Sequence, residues 1–235
     1  MFVPQAKPDD IKILPAYTLA GAARLIGAKP STLQLWFRGR HAYETKGRKQ
    51  RAVNRVLPTE AGPREPLSFI DVVAAHVVHT IRRGYSLPLR NVRKAVSYIE
   101  EMKGDLMFLA SKDFYYDHEN LFLQIGPLLV SLSEGGQVVE KQIISEGLKQ
   151  LTYGDDGYAG QFFPAANGQL QQQFAINPAV NFGRLSIARL SVDTNAVANR
   201  FVAGEKIADI AKDYDATPDE VEDAIRWHDR LAIAA

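Results

Sequence analysis

The chain has 235 residues, 46% of them hydrophobic, and no cysteine. That is enough apolar material for a substantial core, and it excludes disulfide scaffolds, thiolate zinc sites, cysteine nucleophiles and thiol redox sensing. A net charge of +1 conceals an asymmetry: residues 1–110 carry 18 Lys and Arg against 9 Asp and Glu, whereas residues 111–235 carry 10 against 18.

Such a distribution suits nucleic acid at one end and a different partner at the other. No run approaches the roughly 18 uninterrupted apolar residues of a membrane span, and MFVPQAKPDD lacks an apolar stretch of signal-peptide length. The expectation is a soluble cytoplasmic protein with no membrane partner.

Residues 1–16 read as an extended lead-in punctuated by proline. Thr18 can cap a short helix over 19–26, Gly27 ends it, and Pro30 or Ser31 opens a second helix through Phe37. In that second helix Leu33, Trp36 and Phe37 share the core face at i, i+3 and i+4. Ser31, Thr32, Gln34 and Arg38 are left to point outward, with side chains that can meet phosphates and base edges. This is the pattern of a helix-turn-helix whose second helix lies in a major groove.

Residues 38–66 are basic and broken. Arg38, Arg40, Lys46, Arg48, Lys49, Arg51 and Arg55 lie within 18 positions, with Glu44 the only acid among them. The strand-like RAVNRVLP suggests a β-hairpin wing with a basic tip from Lys46 to Arg51. Arg40, Lys46, Arg48, Lys49 and Arg51 therefore join the candidate DNA-binding set. Two amphipathic helices follow near 68–83 and 88–103, forming an αα-hairpin. His76 and His79 sit at i, i+3 in the first, but His76 falls on the apolar face and no further ligand lies near, so both read as structural.

Residues 105–175 change character, with short apolar runs (LFLQI, PLLVSL, YAGQFF, LQQQFAI), a helix over 137–150 and turns between them. A small α+β segment with antiparallel strands is expected. SEGGQ and YGDDGYAG lack the Lys-Ser/Thr ending of a phosphate loop and read as turns. Residues 176–194 are strand-rich. Alternation along FGRLSIARLSV would put Phe182, Arg184 and Ser186 on one face and Gly183, Leu185 and Ile187 on the other. Arg184 and Arg189 either discourage edge pairing or bind an acidic pocket on a partner. Strands around Phe182 to Val192 could pair across a homodimer.

The helix-turn-helix pattern then returns. Residues 205–225 superimpose on 17–37 at a constant offset of 188 positions: Leu19 falls on Ile207, Ala22 and Ala23 on Ile210 and Ala211, Ile26 on Tyr214, Pro30 on Pro218, Leu33 on Val221. The outward positions of the second helix do not match. Here they are Asp219, Glu220, Glu222 and Asp223, which a phosphate backbone would repel, so they belong to a partner-binding surface. These carboxylates lie on a helix face without the buried, separated pairs that acid–base or metal chemistry needs. No catalytic residue, no metal and no cofactor are expected.

Residues 17–103 resemble the winged-helix part of MerR-type regulators, through YTLAGAARLIGAKPSTLQLW, the basic wing and HTIRRGYSLPLRNVRKAV. The wing is longer than usual there, and no long dimerisation helix follows. Residues 176–228 resemble a prokaryotic antitoxin-like domain related to VapB-type antitoxins. Gly183, Arg184, Ile187, Val192, Gly204, Ile207, Ile210, Ala211, Tyr214, Pro218, Val221 and Ala224 fall on its pattern, while Leu185 and Arg189-Leu190-Ser191 stand where the family has a proline and a Gly-Thr-Arg.

The resemblance implies a mostly helical α+β protein in three parts: an N-terminal MerR-like unit (1–104), a small middle segment (105–175) and an antitoxin-like helix-turn-helix domain (176–235). It further implies a non-enzymatic antitoxin of a type II toxin–antitoxin pair. Such a protein neutralises a cognate PIN-like ribonuclease toxin by binding it and represses its own operon at operator DNA as a homodimer. The alternative is a MerR-like transcriptional regulator that senses a small effector through residues 105–175.

Overall fold

The computed structural model describes residues 9–40, 43–45, 48–50, 52, 54–57, 59, 62, 64–84, 88–103, 106–114, 146–165 and 172–232. In chain order these give α1 (Asp10–Ile13), β1 (Pro15–Tyr17), α2 (Leu19–Leu25), α3 (Pro30–Arg38), β2 (Tyr43–Thr45), β3 (Arg48–Gln50), β4 (Leu67–Ser68), α4 (Phe69–Gly84) and α5 (Leu89–Lys103). A 3-10 turn (Leu106–Ala110) leads to β5 (Leu151–Tyr153), β6 (Ala159–Phe162) and β7 (Phe174–Ala175). After a turn at Asn181–Gly183 come β8 (Ser186–Ile187), β9 (Val192–Asp193), α6 (Thr194–Val202), α7 (Ile207–Tyr214) and α8 (Pro218–Ala232). The fold is mostly helical α+β with small antiparallel sheets.

The lead-in is more structured than its prolines suggest. β1 pairs antiparallel with β4 and so fixes the entry of the first helix-turn-helix to the start of α4. Thr18 caps α2, its hydroxyl accepting from the Gly21 amide at 3.0 Å. Leu33, Trp36 and Phe37 of α3 are buried, which is the i, i+3, i+4 face expected from the sequence. The wing hairpin forms, but one segment earlier than its strand-like pattern: β2 pairs with β3 in the register Glu44↔Lys49. Val56 and Leu57 instead enter the core. Their amides donate to the Trp36 carbonyl at the end of α3, at 2.7 and 3.0 Å. Apolar residues recruited one by one to a core can mimic a strand pattern over so short a run.

α4 and α5 match the expected αα-hairpin. His76 is buried, its Nε2 2.8 Å from the Gly147 carbonyl and its ring 4.6 Å from that of Phe162. Burial, partly offset by that bond, lowers its pKa to about 4, so the ring is neutral near pH 7 and acts as a polar peg in the core. His79 is likewise pushed to about 4 by burial, then by Arg83 and Arg82.

In the middle segment β5 and β6 form a hairpin, while LFLQI, PLLVSL and most of the helix expected over 137–150 lie outside the described residues. Of that stretch, residues 146–148 are helical and lead through a turn at 149–150 into β5.

The strand-rich link departs from expectation. β8 is the central strand of the order β7-β8-β9, with neighbours on both edges. Pairing of β8 across a dimer is thereby ruled out, because its ladder groups are already used within the chain. Exposure alternates as expected from Phe182 to Leu185 and breaks at Ser186, which is buried along with Leu185 and Ile187, while Phe182 lies in a turn and not on a strand.

Three long-range contacts knit the segments together. The Lys12 ammonium bonds both carboxylate oxygens of Asp156, at 2.6 and 2.7 Å. The Tyr17 hydroxyl donates to the Gly183 carbonyl at 2.9 Å, and burial pushes that hydroxyl well above its usual pKa, so it stays a donor. Arg24 on α2 donates to the Leu231 carbonyl at the end of α8, at 2.8 Å. No described helix is long and apolar enough to cross a membrane.

Candidate functional site

The two helix-turn-helix units share a turn down to individual hydrogen bonds. In the first, Gly27 takes a φ of 71°, the Gly27 amide donates to Arg24 at 3.1 Å and the Ala28 amide to Ala23 at 2.7 Å. In the second, Asp215 takes a φ of 55°, its amide donates to Lys212 at 3.4 Å and the Ala216 amide to Ala211 at 2.8 Å. Each residue is its counterpart displaced by the 188-position offset. This is the usual left-handed ending of a helix, made with glycine in one copy and aspartate in the other. Ala22, Ala23 and Leu33 in one, and Ile210, Ala211 and Val221 in the other, are the buried contacts beneath it.

The second helices then diverge at their N-termini. α3 begins with Lys29 at the cap and Pro30 in the first turn, and no acid lies in that turn. Its positive dipole end and exposed Ser31 and Gln34 are thus open to an anion. Lys29 is exposed; it is a basic residue that the sequence reading passed over, although its place before Pro30 marks it as a cap. α8 begins with a closed capping box. The Thr217 amide donates to the Glu220 carboxylate at 2.7 Å, and the Glu220 amide to the Thr217 hydroxyl at 3.2 Å. With Asp219 also in the first turn, this end repels phosphate.

On the first unit Ser31 and Gln34 are exposed, Thr32 half-buried, and Arg40 exposed at the junction with the wing. Arg38 turns toward the wing's base, donating to the Glu65 carbonyl at 2.8 Å. Arg48 and Lys49 lie on β3, opposite Thr45 and Glu44. Lys46 and Arg51 lie outside the described residues.

On the second unit Arg189 and Glu220 bind each other, and Arg184, Glu222 and Asp223 are bonded by residues outside the candidate set. Arg189 forms a fork with Glu220, at 2.8 and 2.6 Å, and also donates to the Asp215 carbonyl at 2.9 Å. Arg226 bonds Asp223 at 2.6 Å and Glu222 at 2.8 Å. Arg184 is paired with Asp193 at 3.3 Å. Sequence spacing brought out the acidic face; it could not show that Arg189, 31 positions before Glu220, locks the β8–β9 turn onto the base of α8.

Glu220 is thus a structural residue as well as part of the acidic face. Bonding from Arg189, ahead of the Thr217 amide and against the cost of burial, lowers its pKa to about 2. Glu220→Gln keeps an acceptor for the Thr217 amide but removes the charge that Arg189 bonds, so it should cost about 0.5–1 kcal/mol, the range for an exposed ion pair. Because the folded pKa is depressed, that contribution is complete above the ordinary value of 4.5 and fades as the pH falls toward 2. Thermal melts of wild type and variant at pH 7 and pH 3 check this; a constant gap would refute it.

No family model matches the chain. In an alignment that spans 90% of its length it is 26% identical to a protein of Mycobacterium tuberculosis (strain ATCC 25618 / H37Rv) named "Putative antitoxin VapB45", of which it covers 93%. The crystal structure of Rv2018 from Mycobacterium tuberculosis is similar in fold, with a TM-score of 0.66 at 23% identity, over 90% of this chain and 98% of that one. The similarity therefore runs across the N-terminal, middle and C-terminal parts together.

Proposed function

We propose that this protein is the antitoxin of a type II toxin–antitoxin pair. It binds operator DNA through α3 and the wing, and binds a PIN-like ribonuclease toxin through the acidic face of α8. The observation that carries this reading is the pair of superimposable turns with opposite outward chemistry: an acid-free α3 N-terminus flanked by Lys29, and an α8 N-terminus closed by its own carboxylates. Support also comes from the relative named as an antitoxin, whose similarity extends over 93% of its own length. The chain acts by binding, and a homodimer would place two α3 helices on paired half-sites. A ribonuclease toxin needs a basic groove for its substrate, and an acidic helix face is complementary to it.

The test uses the full chain, a duplex from upstream of its own gene, and the product of the adjacent reading frame. Ser31→Ala with Gln34→Ala should weaken duplex binding about 10-fold or more, since one good side-chain–base pair is worth roughly 1–3 kcal/mol. Asp219→Asn, Glu222→Gln and Asp223→Asn together should leave duplex binding intact and slow association with the adjacent product. Loss of duplex binding in the acidic triple variant alone would reverse the assignment of the two units. A monomer by light scattering, with and without the duplex, would remove the homodimer.

A further inference from the structure

Asn181, Phe182 and Gly183 take φ values of 49°, 55° and 78°, a complete turn of left-handed backbone in which two of three residues carry a Cβ. Left-handed residues in succession are rare outside glycine. The Phe182 side chain it carries is 85% exposed. Folding alone would favour glycine at 182 and would not leave a phenyl ring in water.

Contacts from several directions impose this conformation. The Asn181 amide group donates to the Ser186 hydroxyl at 2.9 Å and to the Ser191 carbonyl at 2.7 Å. Tyr17 holds the Gly183 carbonyl from the core side. The Ser191 turn is in turn tied, through Arg189, to Asp215 and Glu220. Phe182 therefore belongs to a rigid rim continuous with the base of α8. Of the acids tied to that rim, Asp193 and Glu220 are paired with Arg184 and Arg189, Asp215 is bonded only through its carbonyl, and Asp219 lies beside Glu220 in the first turn of α8. Phosphate is disfavoured there; an apolar pocket with a basic border fits.

We infer that Phe182 is the aromatic anchor of the toxin-binding surface, entering an apolar pocket with a basic rim on the toxin. This rests on the antitoxin reading. Anchors of this type are rigid aromatics that act on dissociation, whereas rim charges act on association.

The probe is the purified product of the adjacent reading frame, measured against full-length variants by surface plasmon resonance at two salt concentrations. Phe182→Ala and Phe182→Gly should dissociate about 30-fold faster or more, with association unchanged. Phe182→Gly should also melt several degrees higher, because glycine removes the left-handed strain. A purely structural Phe182 would not combine weaker binding with a higher melting temperature. Wild-type dissociation rates in both variants would overturn the anchor while leaving the antitoxin reading intact. So would loss of duplex binding with toxin binding unchanged, or a fall from dimer to monomer with toxin kinetics unchanged. Absence of binding by the wild-type chain would instead sink the antitoxin reading itself, and the anchor with it.

Discussion

Asp156→Ala is expected to lower the unfolding free energy by about 3–5 kcal/mol, the range for removing one member of a buried ion pair. The Lys12 and Asp156 side chains are only 7% and 9% exposed, and the carboxylate also accepts the Asp9 amide at 3.0 Å and the Tyr158 amide at 3.1 Å. Removing it strands an ammonium in the interior and frees two amides. Burial alone would raise the Asp156 pKa, but the bonds from Lys12, Asp9 and Tyr158 outweigh it and hold the carboxyl below its usual value. The pair's contribution is therefore present above the ordinary carboxylate range and lost only as acid titrates through the depressed value. Lys12→Met with Asp156→Leu removes both charges and should cost less than Asp156→Ala alone. Urea unfolding at pH 7 measures both; a double variant less stable than the single one would show that the charges contribute more than their burial costs.

Gly183→Ala should cost about 3 kcal/mol, lowering the melting temperature by about 6–12 °C in a chain of this length. Two effects combine. The φ of 78° is strained for any residue with a Cβ, and that Cβ would overlap the Tyr17 hydroxyl, with the Pro178 Cα at 3.8 Å behind it. Relief of the overlap requires breaking the buried bond from Tyr17 to the Gly183 carbonyl, worth about 1 kcal/mol. Tyr17→Phe removes the obstructing oxygen, so the double variant should be more stable than the sum of the two single losses predicts. Strict additivity in calorimetry would mean that the tyrosine is not what restricts residue 183.

Local periodicity was enough to read both helix-turn-helix units, because their buried positions recur at helical spacing and their caps use residues of known preference. Leu33, Trp36, Phe37 and Val221 are buried as that spacing requires. The wing shifted because Val56 and Leu57 pack individually under α3, a tertiary choice with no sequence period. The site was legible in its composition and not in its connections. Nothing near Glu220 announces Arg189, nothing near Arg38 announces the Glu65 carbonyl, and alternation gave Phe182 the right side but the wrong backbone. Each of those depends on residues brought together by folding over many positions.

The contacts that join the ends of this chain span 144 residues for Lys12 and Asp156, 166 for Tyr17 and Gly183, and 207 for Arg24 and Leu231. A ribosome adding about 5–20 residues per second delivers Leu231 roughly 10–40 s after Arg24. Over that interval α2 and α3 can coil locally, since their turn needs only neighbouring residues, but β1 lacks the partner of Tyr17 and α2 lacks the helix that covers it. α2 is thus among the first parts of the protein to be synthesised, while the end of α8 that its Arg24 bonds is among the last. A nascent chain, or one cut short before α8, would carry an outward-facing α3 on an unfinished scaffold.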